Sequence, residues 1–244
     1  AQAVLTNCTG AANIVRAVEE NDYPVETVVG ISTDKACKPV NVMGMTKSIQ
    51  ERIFTSSNIL NPNTRFICVR YGNVLASRGS VIPLFIEQII NGGPVTVTVP
   101  KMTRFLLSLD QAVDTVFTAL REAKAGETYV PRAPSATVFN IAKALIGKRP
   151  IDIKETGIRP GEKMHEIMVS EEEANHCVAR GAYYAILSML PELHNGENRE
   201  PMTLSKEYSS ADDVLDFNDT IALLQKHRLM VEDVQLTYKG ELLR

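Results

Sequence analysis

The stretch between residues 25 and 72 constrains the fold more than any other part of the chain. It holds two short runs rich in β-branched residues, VETVVGIST at 25–33 and TRFICVRYG at 64–72, which are typical of buried parallel strands. A helical pattern at 41–58 lies between them. A strand, a helix and a second strand in this order form a βαβ unit, which closes with a right-handed crossover in a parallel sheet. The sequence therefore predicts an α/β protein with a doubly wound parallel sheet.

The chain begins inside a helical pattern. The opening AQAVLTNCTGAANIVRAVEE has no initiator methionine and keeps one helical face apolar with Val4, Leu5, Ala11 and Val15. Helix, strand, helix and strand are the order of the second half of a doubly wound sheet, so we expect a partial sheet. None of the 14 glycines forms a G-x-G-x-x-G fingerprint, so the loop that holds a dinucleotide pyrophosphate is absent from this sequence. We expect a fragment or a chain from which residues were removed.

The composition excludes several classes of protein. The net charge is −3, which gives no electrostatic case for a nucleic-acid partner. We expect no membrane span, because no apolar run approaches the roughly 18 residues that one needs, and no signal peptide opens the chain. The four cysteines are scattered without C-x-x-C spacing, which is typical of reduced thiols in a cytoplasmic protein and predicts no metal site.

Past residue 72 the predicted elements are shorter and contain more glycine and proline. SEEEANHCVARG at 170–181 begins with Ser170 and Glu173 in capping-box spacing, so it is predicted as a helix that ends at glycine. The polar segment 187–213 is predicted to be extended on the surface. The other predicted helices are 80–93, 108–123, 137–147 and 217–229, and the other predicted strands are 94–99, 127–131 and 150–157.

A candidate site follows the first predicted strand. Thr33, Asp34 and Lys35 lie at its carboxyl end, where open α/β sheets build their sites. An adjacent acid and base can divide the work of proton transfer if their environments separate their pKa values. Lys47 lies four residues after Met43, so both share one face of the next helix. The residues alone leave two alternatives open, an ordinary charged turn with a solvated Lys47 or a catalytic site.

Four motifs carry a resemblance to a known family. STDKACKPVNVMGMTK, VRYGNVLASRGSVIPLF, MTRFLLSLDQAV and RPGEKMHE occur in this order along the chain. Together they resemble the nucleotide-sugar 4,6-dehydratases of the extended short-chain dehydrogenase/reductase family, which act on UDP-N-acetylglucosamine in the synthesis of bacterial surface sugars. The likeness extends from residue 1 to about residue 185, with a weaker match in KEYSS at 206–210. Ser-Arg-Gly after GNVLA, together with MTRF, resembles the inverting branch, which also epimerises carbon 5.

The resemblance implies a catalytic role for each residue of the turn. In that family NADP, or NAD, takes a hydride from carbon 4 of the sugar and returns it to carbon 6. Lys35 would remove the proton on carbon 5, Asp34 would protonate the hydroxyl that leaves carbon 6, and Thr33 would hydrogen-bond the carbon-4 oxygen. Met43 stands where most of the superfamily has a catalytic tyrosine, and a thioether cannot carry a proton. Deprotonation at carbon 4 would therefore fall to Lys47, Asp34 or water.

The resemblance also implies binding residues. Val99 departs from the aspartate expected just before MTRF. Arginines suit a UDP diphosphate because their forked donors match phosphate oxygens. No role is assigned to any of the four histidines. The implied cofactor-binding residues are Lys47, Tyr71 and Asn73, and the implied substrate-binding residues are Asn73, Arg78, Val81, Thr98, Arg104, Arg159 and Glu162.

For the whole chain, the resemblance implies the second half of a Rossmann-like dinucleotide-binding domain at 1–75, without its first three βα units. Residues 76–244 would form an interleaved UDP-sugar-binding region with a C-terminal extension from about 187. Helices matching 1–20 and 41–58 pair across a two-fold axis in the superfamily, so a homo-oligomer, at least a dimer, is expected. Two alternatives remain open, a nucleotide-sugar 4-epimerase or reductase and a truncated, non-catalytic chain that binds UDP-sugars or assembles.

Overall fold

The computed structural model describes residues 1–21, 23–77, 79–193 and 201–233, and these form two compact units. The predicted domain boundary near residue 75 stays a prediction. The first unit comprises Ala1–Gly72, Asp110–Arg132 and Ile167–Ser209, and the second comprises Asn73–Leu109, Ala133–Glu166 and the described residues from Ser210 onward.

Eight helices and eleven strands are assigned within these residues. The strands are β1 Thr27–Thr33, β2 Arg65–Tyr71, β3 Val95–Val97, β4 Thr103–Phe105, β5 Thr128–Pro131, β6 Ser135–Thr137, β7 Ile153–Glu155, β8 Ile167–Val169, β9 Cys177–Arg180, β10 Tyr183–Ile186 and β11 Tyr208–Ser209. The helices are α1 Gln2–Val4, α2 Gly10–Glu20, α3 Val42–Ser57, α4 Val81–Ile90, α5 Leu109–Glu122, α6 Val138–Ile146, α7 Glu171–Ala174 and α8 Phe217–Lys226. A π-helical turn at Leu5–Thr9 joins α1 to α2, and 3₁₀ turns lie at Asp34–Ala36 and Pro191–Leu193.

The first unit is built on a five-stranded sheet in the order β1-β2-β5-β10-β9. The strands β1, β2 and β5 run parallel, while β10 pairs antiparallel with both β5 and β9. Thr33 lies opposite Tyr71, so β1 and β2 end at the same edge of the sheet. The predicted α/β fold with a parallel sheet is confirmed.

Both faces of β2 are buried, because successive side chains of a strand point to opposite faces. Phe66 and Cys68 pack on one face with Phe54 of α3. Ile67 packs on the other face with Ala119 of α5. Burial on both faces explains why this strand reads as an unbroken apolar run in the sequence.

The second unit has its own core. Buried residues of α4, α6 and β3 share it, among them Phe85, Leu145 and Val95, and α8 joins through the fully buried Leu224. Two small sheets accompany these helices, the parallel pair β3 and β7 and the antiparallel pair β4 and β6. Among the described residues, no helix is both long and apolar enough to cross a membrane.

The predicted helix over 170–181 is wrong beyond its first turn. The capping box is confirmed, since the Ser170 hydroxyl accepts the N–H of Glu173 and the Glu173 carboxylate accepts the N–H of Ser170. The helix then ends at Ala174, and the buried Cys177 begins strand β9. Burial and pairing with β10 override the weak helical preference of these residues.

The prediction that the segment 187–213 lies on the surface is wrong for residues 208–210, which are buried. Tyr208, Ser209 and Ser210 are 9%, 7% and 0% exposed, and β11 pairs with β8. Polar composition does not exclude burial when hydrogen-bond partners are present. Residues 194–200 of this segment lie outside the described residues.

Candidate functional site

The strand β1 ends in a compact polar turn. The Thr33 hydroxyl donates to Oδ1 of Asp34 at 2.8 Å and accepts the backbone N–H of Lys35 at 3.4 Å. Lys35 Nζ donates to the same Asp34 Oδ1 at 2.9 Å. The structure therefore brings the three residues of the predicted turn into one hydrogen-bonded group.

The two sides of this acid–base pair differ in exposure. The Asp34 side chain is 0% exposed, whereas that of Lys35 is 30% exposed. Asp34 Oδ2 is buried and has no hydrogen-bond partner within the described part of the chain. A buried carboxylate oxygen without a partner is costly, so it marks a position that a proton or a ligand donor would fill.

Helix α3 starts directly against this turn. A Cβ atom at Gly44 would lie 2.1 Å from the backbone oxygen of Lys35, so only glycine permits the approach. The Asn41 side chain caps the helix by accepting the N–H of Gly44 at 2.9 Å. This docking places Met43, whose side chain is exposed, and Lys47 on the helix that adjoins the turn.

Lys47 is held at the strand edge. Its Nζ donates to the carbonyl oxygen of Ile31 at 3.0 Å and to Gln50 Oε1 at 2.9 Å. Burial lowers the pKa of Lys47, while the nearby Cys68 and Glu51 act in the opposite direction. The third ammonium hydrogen has no acceptor among the described residues.

The Ile31 carbonyl faces away from the rest of the sheet. Glu26 accepts the N–H of Arg65 from β2, and the backbone groups of a strand alternate between its two sides. Ile31 is five residues further on, so its carbonyl points away from β2. Lys47 therefore lies at the outer edge of β1 in this unit.

Tyr71 ends β2 beside Thr33 in the strand register. Burial raises the pKa of the Tyr71 hydroxyl. Of the predicted catalytic and cofactor residues, the first unit thus places Thr33, Asp34, Lys35 and Tyr71 at neighbouring strand ends, with Lys47 on the adjoining helix.

Sequence reasoning missed a buried ion cluster in the same unit. Arg70 is 2% exposed, and it donates to Glu51 at 3.0 and 2.6 Å and to Glu173 at 2.8 and 2.9 Å. It also donates to the Met168 carbonyl at 2.8 Å. Burial by itself would raise the pKa of Glu173, but the Arg70 guanidinium and the backbone N–H of Ser170 lower it to about 2.

A signal for this cluster was present in the sequence. An arginine within the buried run RFICVRY needs ionic partners, because an unpaired buried charge is strongly unfavourable. The sequence does not say which carboxylates supply them.

The predicted substrate residues of the second unit centre on Arg104. Its side chain is 13% exposed, and Nη1 donates to the Thr103 carbonyl at 2.7 Å. The carbonyls of Lys163 and Met164 accept from the same nitrogen at 3.2 and 3.4 Å. Nε lies 3.7 Å from Glu166 Oε1. No described residue accepts from Nη2, so its two N–H groups are available to a ligand.

Asn73 Oδ1 and Ser80 Oγ are buried polar atoms of this unit that have no partner among the described residues. The Asn73 backbone is fixed, since its carbonyl accepts the N–H of Leu107 at 3.2 Å. Such atoms fit a polar ligand better than a closed core.

The other predicted substrate residues are dispersed. Val81 starts α4 and packs against the core, and the Thr98 carbonyl accepts the N–H of Gly157 at 2.9 Å. Arg159 is exposed, and its N–H donates to Glu162 Oε2 at 3.3 Å. Arg78 lies outside the described residues. Within the described ranges, no group of three or more histidine, cysteine, aspartate or glutamate side chains is arranged to hold a metal ion.

Comparison with known proteins gives the family. A model described as "Polysaccharide biosynthesis protein" matches residues 1–188. A protein named UDP-glucose 4-epimerase from Rickettsia typhi is 39% identical over 218 residues, which are 86% of this chain and 63% of that protein. The chain spans 54–63% of the length of the first curated relatives that it matches.

Two solved structures resemble the fold. Pen from Bacillus thuringiensis has a TM-score of 0.81 and 33% identity, over 91% of this chain and 68% of that one. A dTDP-glucose 4,6-dehydratase from Streptomyces venezuelae, solved with NAD, has a TM-score of 0.56 and 16% identity, over 65% of this chain and 55% of that one. The chain therefore belongs to the polysaccharide biosynthesis protein family.

Proposed function

We propose that these residues form the catalytic half of a nucleotide-sugar 4,6-dehydratase that acts on UDP-N-acetylglucosamine and epimerises carbon 5. The observation that carries the proposal is the Asp34–Lys35 pair at the tip of a parallel strand, 2.9 Å apart and with Asp34 fully buried. Loss of water from carbon 6 requires an acid at the leaving hydroxyl and a base at carbon 5. An adjacent carboxyl and amine supply both.

The hydrogen bonds of the turn divide the two roles. Asp34 Oδ1 accepts from both Thr33 and Lys35, so a proton for the leaving hydroxyl would be carried on Oδ2. Lys35 is the more exposed partner, and its side-chain nitrogen would take the carbon-5 proton. Thr33 can turn its hydroxyl from Asp34 to the carbon-4 oxygen, because a hydroxyl rotates freely.

A nicotinamide cofactor fits the polar groups at the strand ends. Ser32 Oγ and Asp34 Oδ2 are buried without partners among the described residues, and Lys47 has one ammonium hydrogen to offer. Lys47 and Tyr71 would hold the nicotinamide riboside. When bound, the nicotinamide supplies the hydride chemistry at carbons 4 and 6. The relative from Streptomyces, solved with NAD, supports this cofactor class.

Met43 limits how carbon 4 loses its hydroxyl proton. A thioether cannot act as a base, so Asp34, Lys47 or a water molecule would accept the proton. Lys47 is suited to the task because burial lowers its pKa and thereby favours the neutral amine.

The UDP diphosphate would bind in the second unit. Arg104 presents Nη2 without a described acceptor, and paired N–H groups match phosphate oxygens. The unpartnered Asn73 Oδ1 and Ser80 Oγ add polar contacts. We assign Arg78, Val81, Thr98, Arg159 and Glu162 to the same substrate region.

Two rival functions remain open. Relatives named UDP-glucose 4-epimerase favour a simple 4-epimerase, in which no water is lost and no acid is needed at carbon 6. The second rival is a chain that binds UDP-sugars or assembles without chemistry. Binding of NADPH and of NADH, followed by nicotinamide fluorescence, separates the second rival from both enzymes. Analytical ultracentrifugation tests the proposed homo-oligomer.

The test compares variants in a protein that also carries a glycine-rich nucleotide-binding segment. Asp34→Asn and Lys35→Ala should each lower the rate of water loss by about 10²–10⁴-fold, the usual contribution of an acid or base. Lys38→Ala is the matched control, because Lys38 forms an exposed ion pair with Glu207 at 2.6 Å. Mass spectrometry of the nucleotide sugar measures the rate. Variants as fast as the Lys38→Ala control would overturn the assignment.

A further inference from the structure

Three motifs of the sequence, MTRFLLSLDQAV, RPGEKMHE and KEYSS, contribute residues to a largely buried chain of hydrogen bonds. Thr103 Oγ1 lies 2.7 Å from His165 Nδ1 and 2.6 Å from Ser210 Oγ. Ser210 Oγ also accepts the backbone N–H of Glu166 at 2.9 Å. Thr103 and Ser210 are 3% and 0% exposed. His165, one of the four histidines to which the sequence analysis assigns no role, therefore has a hydrogen-bond partner within the second unit.

The contacts fix the direction of the chain. Because Ser210 Oγ already accepts from Glu166, its own hydrogen needs an acceptor, and the described residues offer only Thr103 Oγ1. Thr103 then donates its hydrogen to His165 Nδ1. With Nδ1 as the acceptor, the ring hydrogen of the imidazole is carried on Nε2. The reverse direction would leave the buried Ser210 hydroxyl hydrogen unpaired, which is unfavourable.

This chain of hydrogen bonds joins the two segments whose carbonyls accept from Arg104. The Thr103 N–H donates to the Met164 carbonyl at 3.1 Å, and the Ser210 N–H donates to the Glu166 carbonyl at 2.8 Å. The strand β4 and the 163–166 segment are thus joined by backbone bonds and by the hydroxyl chain. The Thr103, Lys163 and Met164 carbonyls that orient the Arg104 guanidinium belong to these two joined segments.

We propose that Thr103, Ser210 and His165 are positioning residues that hold the Arg104 guanidinium with Nη2 directed to a nucleoside diphosphate. The inference rests on the proposed function, because it takes Arg104 as the diphosphate ligand. The hydroxyl chain fixes the spacing between β4 and the 163–166 segment. That spacing sets the positions of the three carbonyls that accept from Arg104 Nη1. Because these contacts orient the guanidinium, they also set the direction of Nη2.

The test measures UDP affinity by calorimetry on the chain as it exists. Thr103→Val is isosteric and removes the hydroxyl, so it should weaken UDP binding by about 3- to 10-fold, the equivalent of one hydrogen bond. Thr103→Ser restores the hydroxyl and should bind within about 2-fold of the parent. Ser210→Ala should behave like Thr103→Val.

Thr220→Val is the control for a merely structural effect. Thr220 is also 0% exposed in this unit and donates to the Asp216 carbonyl at 2.6 Å, away from the Arg104 contacts. It should lower the unfolding midpoint as Thr103→Val does but leave UDP affinity unchanged. Equal UDP affinity in Thr103→Val and the parent would overturn the inference, as would equal weakening by Thr103→Val and Thr220→Val.

Arg104→Ala separates this inference from the proposed function. It should weaken UDP binding by at least 10-fold, the effect of a hydrogen bond to a charged group. Arg149→Ala is its control, since Arg149 also donates to backbone carbonyls and pairs with a glutamate, Glu232. If Arg104→Ala leaves UDP affinity intact, the substrate assignment itself fails. If Arg104→Ala weakens UDP binding but Thr103→Val and Ser210→Ala leave it intact, the positioning role fails alone.

Long-range ¹H–¹⁵N NMR of the imidazole gives an independent readout. At a pH where His165 is neutral, the parent should show the tautomer with hydrogen on Nε2. Thr103→Val should lose this preference and Thr103→Ser should recover it. A hydrogen on Nδ1 in the parent would contradict the direction of the chain and overturn the proposal.

Discussion

The first unit contains two groups of buried, oppositely charged side chains. They differ in how fully their polar atoms are hydrogen-bonded. Around Arg70, both carboxylates of Glu51 and Glu173 are engaged, and every guanidinium N–H has an acceptor. At the end of β1, Asp34 is just as buried, but both of its contacts fall on Oδ1, and Oδ2 has no described partner.

The difference separates a structural cluster from a reactive one. A saturated cluster can neither release a proton nor accept a ligand without losing bonds, so it serves to hold β2, α3 and α7 together. A half-satisfied carboxyl at a strand tip retains an unused oxygen at the place where α/β sheets bind ligands. Removing a partner should therefore affect stability in the first cluster and chemistry in the second.

Arg70→Leu should give the largest loss of stability. It leaves Glu51 and Glu173 buried without their cation, which typically costs about 3–5 kcal/mol in the free energy of unfolding. Arg52→Leu is the control, because Arg52 is an exposed arginine on the same helix as Glu51, and its cost should be within about 0.5 kcal/mol. Urea unfolding followed by circular dichroism measures both. Equal losses in the two variants would show that the cluster contributes no stability.

Acid should destabilise the chain through Glu173. Its pKa is about 2 in the folded chain, below its ordinary 4.5, so the stability that it contributes is present above pH 4.5 and is lost as the pH falls toward 2. At about 1.4 kcal/mol per pKa unit, the loss is about 3 kcal/mol. Glu173→Gln should start less stable and show a shallower decline over this range. A parallel decline in parent and variant would contradict the depressed pKa.

Asp34→Asn should have the smallest effect on stability, below about 1 kcal/mol. Asparagine retains an oxygen for Thr33, and the altered position is the one without a described partner. Urea unfolding under the same conditions as for Arg70→Leu measures the difference. A loss as large as that of Arg70→Leu would mean that Asp34 belongs to the structural class, and the distinction between the two clusters would disappear.

The sequence predicted one of these clusters and not the other for a physical reason. Thr33, Asp34 and Lys35 are adjacent, and a β-branched run shows that they follow a buried strand. Arg70 meets Glu51 and Glu173 across 19 and 103 residues, a pairing that only the packed sheet creates. The hydrogen bond between Thr103 and Ser210 joins residues that are 107 positions apart, so the sequence does not predict it for the same reason.

The secondary structure was likewise predicted where its signal is local and missed where it depends on a distant partner strand. The bounds of β1, α3, β2 and α8 lie within a few residues of their predicted positions, because periodicity and capping are local. The strands β4, β6 and β9 were missed, since each is only three or four residues long and is defined by its partner strand.

Turnover of UDP-N-acetylglucosamine in deuterated water tests whether Asp34 and Lys35 form an acid–base pair that expels water. The enzyme used is this chain joined to a glycine-rich nucleotide-binding segment, and the product is examined by mass spectrometry and NMR. The acid–base pair should give a 4-keto-6-deoxy sugar that has lost one water and carries one solvent deuterium at carbon 5, in the inverted configuration. Asp34→Asn should form this product at least about 100-fold more slowly. A product epimerised at carbon 4, with its 6-hydroxyl intact and no deuterium at carbon 5, would contradict this assignment.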